Sequence, residues 1–281
     1  MWFVFGLLIG LSIGAALGIF LLLRFSVPRL EQLYVFRPSK DVLRTPSDLD
    51  VPFDQCFIDT PDGVRLSAWH LCPSNPRASI LYFHGSGGNL GIRTEILVQL
   101  YRNGLQVFAV DYRGFGWSTG VPSEQGLYVD VAATVDFFNE NFRRYRCPVI
   151  YWGRSLGGCF AAAATSRAKP DGLVLETAFP SKSSLMEDYS QFRFFRFFSR
   201  YKLDTVSFLR GHRFPVLVIH GTKDRTVPVR QAQILYRQLD GPKEYLSIEG
   251  AGHIDIHMID TERYMGGVLD YINRLEPVVV H

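Results

Sequence analysis

The chain has 281 residues, 47% of them hydrophobic, and its 30 Lys and Arg side chains against 27 Asp and Glu side chains give a formal net charge of +3. The apolar share is too high for a disordered protein, and the length suffices for one large domain. The near-balanced charge gives no case for a nucleic-acid partner, which would require a basic domain or stripe. With 4 cysteines, the chain is also not a disulfide-based scaffold.

The first element in chain order is a long apolar segment. Residues 2–23 contain no Asp, Glu, Lys or Arg, and about 20 apolar residues suffice for a helix to cross a bilayer. No basic residue precedes the segment, and it is longer than a usual signal-peptide core, so an uncleaved anchor fits better than a cleaved signal peptide. We therefore predict an N-terminal transmembrane anchor over residues 1–23, with a lipid membrane as partner.

The residues that flank this segment predict its orientation. Basic side chains follow it at Arg24, Arg29, Arg37 and Lys40, and only the N-terminal amine precedes it. Basic flanks stay on the cytoplasmic side of a membrane. We therefore expect a single-pass protein whose catalytic domain lies on the cytoplasmic side.

Four glycines recur at every fourth position of the same segment, at Gly6, Gly10, Gly14 and Gly18. They would share one helix face, and small residues at this spacing let two membrane helices approach closely. The pattern indicates a homodimer through these glycines. The competing explanation is that glycine is frequent in membrane helices generally.

The remaining chain alternates short apolar runs with longer amphipathic stretches. Residues 24–50 hold three prolines and are predicted as a juxtamembrane linker to a domain over residues 51–281. Predicted strands are 53–59, 64–72, 78–84, 105–111, 147–152, 171–176, 215–220 and 243–248, and predicted helices are 92–103, 123–140, 155–168, 229–239 and 258–274. A leading hairpin followed by strand–helix repeats predicts an α/β fold, with a mostly parallel sheet of about eight strands and helices on both faces.

A strand-to-helix turn in the middle of the chain carries a nucleophile signature. Residues 149–164 read VIYWGRSLGGCFAAAA, which places G-x-S-x-G between a strand and an alanine-rich helix. That arrangement is typical of a nucleophile elbow, in which the serine oxygen stands exposed above the sheet. An ordinary helix cap at Ser155 is the alternative. We interpret Ser155 as the catalytic nucleophile.

A nucleophilic serine needs a histidine base and an orienting carboxylate, and in hydrolases of this kind the chain order is serine, acid, histidine. Asp224 follows the apolar strand VLVI, and His253 lies in a glycine loop after the next strand. We predict Asp224 as the acid and His253 as the base, with Glu176 as the alternative acid. The other histidines are interpreted as structural or solvated, namely His70, His84, His212, His220, His257 and His281.

A second glycine loop lies where an oxyanion hole requires a backbone donor. Residues 81–89 read LYFHGSGGN, a strand followed by glycines, and we predict that the N–H groups of Ser86 and Leu156 bind the oxyanion. A phosphate-binding loop is the rival, but neither G-x-G-x-x-G nor the P-loop spacing with its lysine is present. This chemistry implies no metal and no organic cofactor.

An insertion over about residues 178–213 is predicted as a lid. As a helix, residues 191–201 would carry basic side chains on one face and aromatic ones opposite, namely Arg193, Arg196 and Arg200 against Phe194, Phe197, Phe198 and Tyr201. Such a helix fits a lipid interface. A lid that packs its aromatic rings over an acyl pocket is the equal alternative. Both imply an apolar substrate.

Several motifs in order resemble the α/β-hydrolase superfamily over roughly residues 50–281. They are the loop 84–88, the stretch 111–118 reading DYRGFGWS, the pentapeptide 153–157, the stretch 220–228 and Gly252-His253. With residues 31–34 and Pro38 after the apolar segment, the chain is similar to the membrane-anchored subgroup, which includes animal protein depalmitoylases and uncharacterised bacterial serine hydrolases. The resemblance implies ester or thioester hydrolysis. The Cys-rich N-terminal tail of the depalmitoylases is missing, which argues against that particular activity.

The sequence thus predicts a membrane-anchored serine hydrolase that cleaves carboxylic esters or thioesters of apolar acyl groups through an acyl-enzyme. A serine peptidase of the aminopeptidase kind and an acyltransferase would use the same three residues. A non-catalytic membrane scaffold on a hydrolase fold is the alternative from another class.

Overall fold

The computed structural model describes residues 2–143, 147–189 and 199–275. Its helices are α1 (Trp2–Val35), α2 (Thr94–Arg102), α3 (Glu124–Asn141), α4 (Leu156–Ala164), α5 (Lys182–Glu187), α6 (Thr205–Phe208), α7 (Val229–Gln238), α8 (Ile256–Ile259) and α9 (Thr261–Asn273). Its strands are β1 (Arg37–Pro38), β2 (Asp54–Asp59), β3 (Arg65–Leu71), β4 (Ala78–Phe83), β5 (Gly87–Gly88), β6 (Leu105–Asp111), β7 (Val149–Arg154), β8 (Gly172–Glu176), β9 (Val216–Gly221) and β10 (Lys243–Ile248).

One eight-stranded sheet organises the domain, in the order β10-β9-β8-β7-β4-β6-β3-β2. The six strands from β10 to β6 run parallel, whereas β3 is antiparallel to both β6 and β2. The leading hairpin and the mostly parallel sheet predicted from the sequence are therefore confirmed. The predicted strands coincide with the observed ones to within about two residues, the usual scatter of element ends.

The central strands are buried on both faces, which explains their continuous apolar runs. Every residue of β4, β6, β7, β8 and β9 is buried. Because successive side chains of a strand point to opposite faces, Tyr151 packs into one hydrophobic core with Phe160 of α4, and Trp152 packs into the other with Tyr264 of α9. Helices thus cover both faces, as predicted.

A short segment after α1, which we call the strap (residues 36–41), packs against the sheet domain. Phe36 is buried, and its ring meets the ring of Tyr201 edge-on at 5.5 Å between centroids. β1 pairs in parallel with β5, with Arg37 opposite Gly87. The Asn89 amide donates hydrogen bonds to the carbonyl oxygens of Ser39 and Asp41 at 3.0 and 2.9 Å. The second half of the segment predicted as a linker therefore has fixed contacts with the domain.

Unlike the predicted sheet, the predicted anchor and the predicted lid are not confirmed by the structure. Residues 2–23 lie within α1, but in the part of the chain that the structure describes, no helix combines the length and hydropathy needed to cross a membrane. The structure therefore does not support the predicted transmembrane helix. In the insertion, residues 190–198 fall outside the described residues, and with them Arg193, Arg196 and all five phenylalanines of the predicted lid helix.

Truncating the strap's buried ring tests whether the strap belongs to the folded domain. We expect Phe36→Ala to lower the free energy of unfolding by about 3 kcal/mol, because a buried phenylalanine loses its packing and leaves a cavity. Leu43→Ala, which removes a side chain that is 85% exposed, should change it by less than about 0.5 kcal/mol. Denaturant unfolding measures both, and equal effects would contradict the role of the strap.

Candidate active site

Ser155 lies in a sharp turn between the end of β7 and the start of α4. Its backbone angles are φ 54° and ψ −119°, a strained conformation for a residue with a side chain. A Cβ atom on Gly157 would lie 2.0 Å from the Phe83 carbonyl oxygen, and one on Gly153 would lie 2.3 Å from the Gly157 carbonyl oxygen. Both positions therefore require glycine. This is the local geometry that the G-x-S-x-G spacing predicts.

The structure brings Ser155, His253 and Asp224 into one hydrogen-bonded row. The His253 Nε2 atom lies 3.0 Å from the Ser155 Oγ atom, and the His253 Nδ1 atom lies 2.7 Å from the Asp224 Oδ2 atom. The other carboxylate oxygen of Asp224 accepts hydrogen bonds from the N–H groups of Thr226 and Val227, both at 2.8 Å. These bonds fix the carboxylate so that it orients the imidazole toward the serine.

Glu176, the alternative acid from the sequence, has other partners. This buried carboxylate ends β8 and accepts hydrogen bonds from the Trp152 indole N–H at 2.8 Å and the Tyr264 hydroxyl at 2.9 Å. The Nε atom of Arg154 forms an ion pair with it at 3.3 Å. The geometry therefore places Asp224, and not Glu176, on the imidazole of His253.

Two further histidines lie close to the row, and the Nε2 atom of one of them, His220, lies 3.5 Å from the Asp224 Oδ2 atom. The His84 Nδ1 atom lies 2.7 Å from the Gly85 carbonyl oxygen, and its Nε2 atom lies 3.2 Å from Asp111. The His220 Nε2 atom lies 2.8 Å from the Val227 carbonyl oxygen. Burial lowers the pKa of His220, which favours the neutral ring that donates to this carbonyl. Both histidines hold loops of the site.

The predicted oxyanion loop lies beside the serine. A Cβ atom on Gly85 would lie 3.4 Å from the Ser155 Cβ atom. Among the described residues, neither the Ser86 N–H nor the Leu156 N–H has a hydrogen-bond partner in the protein, and the latter group belongs to the first turn of α4, where N–H groups lack helical partners. Unpaired main-chain donors on the loop beside the serine and on the residue that follows it are what an oxyanion hole requires.

The strap holds this loop from outside. The Arg37 N–H donates to the Ser86 carbonyl oxygen at 2.9 Å, and the Ser39 N–H donates to the Gly88 carbonyl oxygen at 3.0 Å. The sequence gives no signal for this contact, because a two-residue strand has no periodicity and its partner is 50 residues away.

As for metal sites, the described residues contain no group of His, Cys, Asp and Glu side chains that could hold an ion.

Comparison with known proteins shows which family the chain belongs to. Residues 74–201 match the Hydrolase_4 family, described as Serine aminopeptidase, S33. An uncharacterized protein of Mycobacterium tuberculosis is 30% identical over 228 residues, covering 80% of this chain and 81% of its own. Protein bem46 of Schizosaccharomyces pombe is 29% identical over 207 residues, covering 70% of this chain and 69% of its own.

A solved structure agrees in fold. The esterase Pf2001 of Pyrococcus furiosus superposes with a TM-score of 0.70 at 20% identity, covering 86% of this chain and 97% of the esterase chain. This likeness shows the fold, and the relatives above assign the class. The chain belongs to the α/β-hydrolase superfamily, among its serine hydrolase-like members.

The burial of His257, which lies outside the row, predicts that the stability of the fold depends on pH. Burial lowers the pKa of His257 below its ordinary value of 6.5, so just below pH 6.5 the unfolded chain binds a proton there and the folded chain does not. Stability should therefore fall as pH drops below 6.5, by up to about 1.4 kcal/mol per pH unit from this group.

We expect His257→Leu to reduce that slope and to leave catalysis intact. Denaturant unfolding at several pH values between 7 and the acid limit of folding measures the slope. An unchanged slope in the variant would contradict the assignment of this pH dependence to His257.

Proposed function

We propose that the protein is a serine hydrolase that cleaves carboxylic esters or thioesters of apolar acyl groups through an acyl-enzyme. The observation that carries the proposal is the hydrogen-bonded row of Ser155, His253 and Asp224 beside two unpaired backbone N–H groups. A nucleophile, a base, an orienting acid and oxyanion donors are the four parts that acyl transfer needs.

In the acylation step, the Ser155 Oγ atom attacks the carbonyl carbon of the substrate while its proton passes to the His253 Nε2 atom. Asp224 accepts the hydrogen bond from the Nδ1–H group and stabilises the imidazolium that forms. The negative charge on the carbonyl oxygen develops next to the N–H groups of Ser86 and Leu156. When the tetrahedral intermediate collapses, the imidazolium protonates the departing alcohol or thiol.

In the deacylation step, water replaces the leaving group. The neutral His253 imidazole takes a proton from that water, the resulting hydroxide adds to the acyl carbonyl, and a second tetrahedral intermediate forms in the same oxyanion site. Collapse returns the proton from His253 to the Ser155 oxygen and releases the carboxylic acid. Every step uses side chains and backbone groups of this chain, so the proposed reaction requires no cofactor.

The comparisons support an ester substrate and keep one alternative. The structural neighbour from Pyrococcus furiosus is named an esterase, whereas the matching family is described as a serine aminopeptidase. The same row of residues serves both reactions, because ester and amide hydrolysis pass through the same kind of tetrahedral intermediate. A peptidase is therefore the second candidate, and an acyltransferase would differ only in the acceptor of the acyl group.

A membrane location is part of the proposal. It is supported by the uncharged segment 2–23 and by the basic residues that follow it, which favour a cytoplasmic catalytic domain. Pairing of two chains through the glycines at positions 6, 10, 14 and 18 belongs to the same proposal. Recovery of the full chain in the soluble fraction after cell lysis, without detergent, would overturn the membrane location.

A panel of chromogenic substrates tests the proposed reaction. We expect p-nitrophenyl esters of increasing acyl length to be hydrolysed faster than an aminoacyl p-nitroanilide. Ser155→Ala should abolish this activity, and Asp224→Asn should lower kcat by roughly 10⁴-fold, because the histidine loses its correct tautomer.

Asp136→Asn is the matched control, since this carboxylate forms an exposed ion pair with Arg167, and it should leave kcat unchanged. Preferred cleavage of the anilide would establish the peptidase instead. Activity that persists in Ser155→Ala would contradict the proposed mechanism.

A further inference from the structure

The residue before the nucleophile reaches the loop that carries the base. Arg154 ends β7, and its side chain is buried with an exposed fraction of 4%. Its Nη2 atom donates hydrogen bonds to the carbonyl oxygens of His253 at 3.0 Å and Ile254 at 2.7 Å. In the G-x-S-x-G motif this position can hold any residue, and the motif assigns it no role.

We infer that Arg154 is a positioning residue for the general base, because it ties the main chain of the His253 loop to the strand that presents Ser155. The inference rests on the proposed function and assigns the residue that keeps the imidazole in reach of the nucleophile. Arg154 acts through His253 and touches neither substrate nor reacting atoms.

The contact between nucleophile and base needs such a tie. Ser155 and His253 lie 98 residues apart in the chain, on loops that follow different strands, and a catalytic geometry tolerates an error of only about 0.5 Å. The buried residues Ala251 and Ile256 anchor the two ends of the loop, but Ile254, next to the base, is 73% exposed. The bond from the Gly252 N–H to Asp255 is internal to the loop and does not fix the loop to β7.

Arg154 is itself held rigidly. Its partner Glu176 is fully buried and is fixed by Trp152 and Tyr264. Burial alone would lower the pKa of Arg154, but the Glu176 carboxylate raises it above the ordinary value, so the guanidinium stays charged. A charged donor forms shorter and stronger hydrogen bonds to carbonyl oxygens than a neutral donor. The carboxylate thus fixes the arginine, and the arginine fixes the histidine loop.

Stability alone is a weak reason for this arrangement. Replacing a buried ion pair with apolar side chains of similar volume is often neutral or stabilising, because both charges must be desolvated. The pair therefore need not be there to hold the fold. Arg154 also donates two hydrogen bonds to the main chain of His253 and Ile254, which hold the loop in place. An apolar pair could not form these bonds.

Paired substitutions separate positioning from stability. The variant Arg154→Met with Glu176→Gln removes both charges of this ion pair together, and the glutamine oxygen still accepts from Trp152 and Tyr264. The matched control is Arg113→Met with Asp130→Asn, since Arg113 and Asp130 also form a buried pair, at 2.7 Å. All variants are assayed as full chains with a p-nitrophenyl ester, at a temperature where circular dichroism shows them folded.

We expect the Arg154/Glu176 variant to lose about 10²-fold in kcat with an unchanged KM, because the base is displaced while substrate binding is not. Arg154→Lys should recover part of the loss, since an ammonium group reaches one carbonyl but not both carbonyls and the carboxylate. The Arg113/Asp130 control should keep the wild-type kcat. A kcat of the Arg154/Glu176 variant equal to that of the control would overturn the inference.

A second measurement works without any substrate. We expect the proton between the His253 Nδ1 and Asp224 Oδ2 atoms, which lie 2.7 Å apart, to give a low-field NMR resonance in the wild type. This resonance should broaden or vanish in the Arg154/Glu176 variant and persist in the control. A wild type that hydrolyses no substrate would defeat the proposed function, and this resonance would then decide the positioning inference by itself. An unperturbed resonance in the Arg154/Glu176 variant would overturn the inference.

Discussion

The site depends on one strained turn, in which Ser155 adopts φ 54° and ψ −119°. Such a conformation costs about 1–3 kcal/mol and persists only where the surroundings enforce it. Here β7 is buried at the centre of the sheet, and α4 begins at the next residue, with glycines at the two positions where a Cβ would strike backbone. The strain directs the serine oxygen away from the sheet, toward the loops that carry His253 and Gly85.

Around that turn, three sets of hydrogen bonds join separate parts of the chain. Arg154 bonds to the loop of the base, the Asp224 carboxylate bonds to the imidazole, and the strap bonds to the oxyanion loop. Each tie joins segments that are distant from one another in the chain, so the geometry of the site depends on the whole sheet and on the segments packed at its edge. A catalytic arrangement built on rigid strand ends is better defined than one built on free loops.

The features of this structure that have a local sequence pattern can be predicted from the sequence. The apolar runs VLVI and ILYF predict buried parallel strands, and G-x-S-x-G predicts the strained turn, because each pattern has a short-range physical cause. The choice between Asp224 and Glu176 as the acid has no such short-range cause. Both carboxylates follow apolar strands, and only the three-dimensional placement shows that one meets an imidazole while the other meets an arginine, an indole and a phenol.

Long-range contacts to main-chain groups produce no recognisable pattern in the sequence. The strap pairs two residues with two others, and Arg154 contacts carbonyl oxygens, which every residue possesses. Neither contact constrains the identity of its partners, so neither produces a motif. Such contacts emerge only when the sheet order and the strand ends are known, although they hold the loops on which the chemistry depends.

The central claim, that Ser155 is an activated nucleophile, is tested most directly by a fluorophosphonate probe and mass mapping of the adduct on the folded full chain. Because the probe reacts with serines that have a base and an oxyanion site, the account predicts one stoichiometric adduct on Ser155 in the wild type and none in Ser155→Ala. A folded wild type that takes up no probe, or takes it up at another residue, would contradict the account.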